Sequence, residues 1–173
     1  MDNLRTSAIR FLNALLIVVL SLVILGAYIY EFLYKKSPCP LCELQRLAMI
    51  LICFGPLLNF KFGFRPLHYS ISIFAALFGA IVSLRHIALH VCKEPLKTSV
   101  PVWGFQLYVW AFFVFGASIL AIGLFLLIQE DSIKKVVKTN LFEKFSFLLV
   151  FTVTVANVVS AFWMCGFGFC IDK

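Results

Sequence analysis

Five long apolar runs leave this chain one choice of solvent. They cover about Phe11–Leu33, Leu44–Phe60, Leu67–His90, Gly104–Ile128 and Phe145–Met164. Each holds roughly 17–25 residues, and at about 1.5 Å rise per residue that length crosses a hydrocarbon layer of roughly 30 Å. A helix closes its backbone hydrogen bonds within itself, which an open strand in lipid cannot do. All five runs are therefore expected to be helices. Of the 173 residues 62% are hydrophobic and 13% charged, against about a quarter charged in an average soluble domain. The expected fold is all-α: an integral membrane bundle of four antiparallel spans with a fifth, C-terminal span alongside. One domain covers residues 1–173, with no soluble domain, linker or strong internal repeat.

The second and third runs are joined by a tight Asn59-to-Pro66 turn, which makes them antiparallel neighbours. The first run is longer than the usual signal-peptide core and lacks a small-x-small exit before Glu31, so it reads as a retained anchor. A net charge of +7 invites a nucleic-acid reading. The Lys and Arg residues, however, are scattered between apolar runs, where they meet anionic lipid head groups; no nucleic-acid partner is expected. Lys134, Lys135, Lys138 and Lys144 cluster in one loop, which favours a cytoplasmic face for that loop and for the N-terminus. That topology puts Cys39, Cys42, Cys92, Cys165 and Cys170 together on the outer face, where disulfides persist. Cys53 lies inside a span and reads as an inert small apolar residue.

The sharpest local feature is Cys39-Pro40-Leu41-Cys42-Glu43-Leu44-Gln45-Arg46 at the mouth of the second run. Two cysteines two residues apart can close a small disulfide ring, and a helix start lowers thiol pKa values by favouring the thiolate. Cys42, nearer the helix, is expected to be the more thiolate-like. Arg46 follows one turn later on the same face, a permanent cation beside the dithiol. A zinc site could also use the pair, completed by Cys165 and Cys170 or by His86 and His90. A purely structural disulfide is the plainer alternative. Neither accounts for Gln45 and Arg46 directly behind the cysteines.

This element resembles the signature of the bacterial disulfide bond formation protein B (DsbB) family. The stretch Leu84-Arg85-His86 through Pro101-Val102-Trp103-Gly104-Phe105-Gln106-Leu107-Tyr108-Val109-Trp110 is similar to the third span, second outer loop and fourth span of some members. The resemblance covers most of residues 10–128. It implies a quinone-dependent thiol oxidoreductase of the bacterial inner membrane, with its redox cysteines facing the periplasm. The first-loop pair, Cys39 and Cys42, would exchange electrons with ubiquinone or menaquinone, with Arg46 and Gln45 beside the quinone. A second outer pair would reoxidise a periplasmic DsbA-like thioredoxin-fold oxidase.

The chain departs from the family pattern in its second pair. Cys92 stands alone in the second outer loop, and a fifth span ends in Cys165-Gly166-Phe167-Gly168-Phe169-Cys170. Cys165 and Cys170 are the expected shuttle pair; the alternatives pair Cys92 with one of them or make the tail a static clip. Arg85 and His86 could hold the quinone head group or relay protons, although an interfacial histidine is more often an ordinary hydrogen-bonding residue. Trp103, Tyr108 and Trp110 read as an aromatic belt at head-group level. Two further classes compete: a vitamin K epoxide reductase-like enzyme, which would place its CxxC before a late span, and a non-catalytic metal-binding, transport or structural membrane protein.

Overall fold

A computed structural model describes residues 2–34, 39–91, 102, 104–128 and 140–165. Among the described residues five helices follow one another: α1 (Asp2–Leu33), α2 (Pro40–Phe62), α3 (Pro66–Val91), α4 (Leu107–Ile128) and α5 (Leu141–Cys165). All five are long and apolar enough to cross a membrane. The protein is a multi-pass, all-α membrane bundle, as its apolar runs require. Three of the helices, α1, α2 and α5, start four to nine residues before their expected spans, because a helix continues past the apolar run into the head-group layer. Conversely, α4 begins at Leu107 instead of Gly104. Gly104 (φ 83°) belongs to a tight turn in which Val102 and Phe105 exchange backbone hydrogen bonds of 2.9 and 3.2 Å, a positive φ that glycine adopts freely.

The α2–α3 hairpin is the centre of the bundle. Pro56 sits inside α2 and has no N–H to give the Ile52 carbonyl one turn back. In lipid that orphan acceptor would be costly. The Ser72 hydroxyl on α3 donates to it at 2.7 Å. Gly55 makes the approach possible: a Cβ there would fall 2.1 Å from Ser72 Oγ and 2.4 Å from the His68 carbonyl oxygen. At the turn, Asn59 Oδ1 accepts the Arg65 N–H and lies 2.8 Å from His68 Nδ1.

Helix α5 packs on α1 and α2 through Glu143, Ser146, Val150, Val153 and Asn157, all buried. Their three-and-four spacing is one continuous stripe, polar at both ends and apolar at mid-membrane. At one end Arg10 makes a buried, two-pronged ion pair with Glu143 at 2.6 Å; at the other, the Tyr28 hydroxyl donates to Asn157 at 3.0 Å. Helices α1 and α5 therefore run parallel. The C-terminal ends of α1, α3 and α5 and the N-terminal ends of α2 and α4 meet at one face of the bundle, and the cysteine motif is there. Cys53 is buried at mid-helix with its thiol on the Met49 carbonyl, the inert position expected of it.

Candidate redox site

Helix α2 starts at Pro40, a residue whose fixed φ suits the first helical position. The N-cap is consequently Cys39, in extended conformation (φ −92°, ψ 152°), and its sulfur accepts the backbone N–H of Cys42 at 3.2 Å. The two sulfurs are 2.7 Å apart, and His86 Nε2 on α3 lies 3.9 Å from Cys39 Sγ. The hydrogen bond with the Cys42 thiol, helped by the His86 ring and the Cys42 N–H, outweighs burial and holds the Cys39 thiol at about 4. This corrects the expectation that Cys42 is the more thiolate-like of the pair. The helix begins before the apolar run does, so the capping position with its free N–H groups belongs to the first cysteine.

Cys42 faces the other way. It lines an apolar cavity of about 370 Å³ between α1, α2 and α4, together with Gln45, Arg46, Glu31, Tyr108 and Trp110. Gln45 and Arg46 are 5% and 4% exposed, one turn below the cysteines as the spacing requires. An isolated buried guanidinium would cost several kcal/mol. Here Glu31 of α1 pairs with Nη2, Glu43 lies 3.3 Å from Nη1, and the Tyr28 ring lies 4.3 Å from the guanidinium carbon. Glu43 in turn accepts the Ser160 hydroxyl from α5. Its second oxygen, Oε2, is buried and has no hydrogen-bond partner among the described residues.

His86 is 5% exposed and stands behind the cavity wall. Its Nδ1 is 3.5 Å from Gln45 Nε2, and its ring packs against Tyr108 and His90 at 4.6 and 4.8 Å between centroids. Arg85, expected beside it, is exposed on the outer surface of α3 and does not line the cavity: one residue earlier, about 100° of helical turn carries it away from the bundle. Tyr108 and Trp110, expected as head-group anchors, line the cavity. Cys92, Cys170 and Trp103 lie outside the described residues, and of Cys165 the helical backbone alone is described.

Glu31, Glu43, Tyr28, Asn157 and Ser160 are the site residues that motif reading misses. A signal was present: Glu31 and Glu43 are two of eight acidic residues in the chain, and an ionisable group at a membrane span needs a partner. Cys39, Cys42 and His86 place their donor atoms within 4.8 Å of one another. A structural zinc centre takes four ligands, and the group stops at three among the described residues. His90 turns its Nδ1 to the His86 carbonyl at 3.0 Å instead.

Fold and site together define a multi-pass membrane protein carrying a dithiol at a helix tip, with one cysteine at the cap and the other on an apolar cavity. The family model for the disulfide bond formation protein DsbB matches residues 9–99. That is more than half of the chain and includes Cys39, Cys42, Gln45, Arg46 and His86, and the chain belongs to this family. Its members are membrane oxidoreductases acting in disulfide bond formation, and this protein is one of them. No curated protein and no solved structure matches the chain.

Proposed function

We propose that this protein is a protein-dithiol:quinone oxidoreductase of the bacterial inner membrane. It reoxidises a periplasmic DsbA-like, thioredoxin-fold thiol oxidase and passes the electrons to ubiquinone or menaquinone. One observation carries the reading: the Cys42 thiol, the Gln45 amide and the Arg46 guanidinium line the same apolar cavity. An apolar cavity with a few convergent polar groups at one end suits a planar, lipid-soluble head group. Gln45 and Arg46 offer donors to its oxygens, and Tyr108 and Trp110 offer aromatic surface.

The two cysteines divide the work. The partner's thiolate attacks a disulfide of the shuttle pair, Cys165–Cys170, giving a mixed disulfide, and exchange passes the electron pair to Cys39–Cys42. The reduced pair then holds Cys39 as the thiolate. Oxidation of the pair turns two thiols into the Cys39–Cys42 disulfide with release of two electrons and two protons; Cys39 is the sulfur held as the thiolate, and Cys42 is the one that lines the cavity. A bound quinone supplies the oxidising power, since thiol exchange alone makes no net disulfide. Arg46 stabilises negative charge that develops at the cavity mouth. His86, between Cys39 and Gln45, is placed to hold or relay a proton.

The shuttle role of the C-terminal pair is supported by the course of α5, whose last residue is Cys165. Ser160 reaches Glu43, next in sequence to Cys42, and the α5 backbone continues to Cys165 at that same face. The test is reduction of a short-chain ubiquinone or menaquinone by a reduced thioredoxin-fold oxidase in proteoliposomes. Turnover that vanishes in Cys39→Ala and Cys42→Ala supports the proposal. A purified protein that transfers electrons to no quinone, or a Cys39–Cys42 motif that labels from the cytoplasmic side, ends it. A stoichiometric zinc content after purification would instead favour the metal-binding reading of Cys39, Cys42 and His86.

A further inference from the structure

The cation at the cavity faces two carboxyl side chains, one on α1 and one on its own helix. Arg46 faces Glu31 and Glu43, and Glu43 leaves one buried oxygen without a partner among the described residues. What holds Glu43 in this position comes from α5, which lies beyond the residues matched to the family. Ser160 donates its hydroxyl to Glu43 Oε1, the same oxygen that faces Arg46. Three residues earlier on the same face, Asn157 accepts the hydroxyl of Tyr28, whose ring lies beside the Arg46 guanidinium. Two side chains of one helix thus reach Arg46 by two separate intermediaries.

We propose that Ser160 and Asn157 are positioning residues, through which the fifth helix fixes the Arg46 guanidinium at the quinone cavity. The physical basis is directional. Without the Ser160 hydroxyl, Arg46 would be the remaining partner of Glu43 among the described residues, and Glu43 would draw the guanidinium towards α5, out of the cavity. Without Asn157, the Tyr28 hydroxyl loses its acceptor and the ring is free to tilt. Neither residue touches the cavity; both act on it through Arg46. The inference rests on the quinone reading above and deepens it, because it gives the added span a part in quinone binding.

The test is a single turnover. Protein in proteoliposomes is reduced with dithiothreitol, freed of reductant and mixed with increasing short-chain ubiquinone, and loss of the quinone absorbance is followed. In Ser160→Ala the half-saturating quinone concentration rises about tenfold, the size of one lost hydrogen bond to a charged group, while the limiting rate holds. Ser160→Thr keeps the hydroxyl and restores the wild-type value. Asn157→Ala shifts half-saturation in the same sense by a separate route, which keeps the proposal testable if Ser160→Ala does not fold. Thr152→Ala, which removes an outward-facing α5 hydroxyl bonded to the Leu148 carbonyl, leaves half-saturation unchanged. Wild-type half-saturation in both Ser160→Ala and Asn157→Ala overturns the inference and leaves the proposed function standing. So does a shift in Thr152→Ala as large as in Ser160→Ala. A wild-type protein that reduces no quinone removes both.

Discussion

His86 Nε2 lies 3.9 Å from the Cys39 sulfur, and that contact joins α3 to the first turn of α2. With the Cys42 N–H and thiol it makes Cys39 the stabilised sulfur of the pair. The first prediction is a pH dependence. A thiol alkylates as its thiolate, so in the reduced protein Cys39 reacts with iodoacetamide at a rate that holds from neutral pH down to about 5. The rate then falls through an apparent pKa of about 4, against the ordinary 9.0. A depressed folded pKa contributes stability that is complete above the unfolded value and lost as pH falls through the folded one. The reduced protein therefore loses this stability between about pH 9 and pH 4. His86→Ala moves the alkylation midpoint upward, and an unmoved midpoint would remove the histidine from the site.

Arg46 is held by two carboxylates and a ring, and it lines the cavity. Arg46→Ala is expected to raise the apparent quinone KM at least about tenfold, the size of a lost charge-assisted interaction. Arg46→Lys keeps the charge but not the planar fork and should recover part of the loss. Steady-state quinone reduction at several quinone concentrations separates KM from kcat. An unchanged KM in Arg46→Ala would return the residue to lipid anchoring.

The cysteine series separates the two electron-transfer stages. Cys39→Ala and Cys42→Ala abolish turnover. Cys165→Ala and Cys170→Ala lose reaction with the soluble partner, yet Cys42 still delivers electrons to quinone when the pair is reduced by a small thiol. Full activity with the partner in both tail variants would discard the shuttle assignment and leave Cys92 or a static clip to explain the tail.

The α2–α3 contact can be tested by stability. Gly55→Ala drives a methyl into Ser72 and the His68 carbonyl, which forces the helices apart and costs about 1–3 kcal/mol. Ser72→Ala leaves the Ile52 carbonyl opposite Pro56 unpaired and costs about the same. Gly116→Ala, where a Cβ meets nothing within 4 Å, is the control. Thermal unfolding in detergent measures all three, and equal midpoints for Gly55→Ala and Gly116→Ala would refute the close approach.

The apolar runs of this sequence determined the five helices, their count and their alternation across the bundle, because chain in lipid must satisfy its own backbone and a span has a fixed minimum length. The Cys39-to-Arg46 spacing also determined that a dithiol and a cation share one helix end. The sequence did not say which cysteine caps the helix. Apolarity marks the lipid boundary, whereas capping follows the first helical residue, Pro40, which lies above that boundary. Nor did it pair Arg46 with Glu31, Glu43 and Tyr28, or bring Ser160 to Glu43, 117 residues away. Those contacts join different helices, and only the packing of α1 and α5 around α2 decides which polar side chains share the lipid-shielded interior.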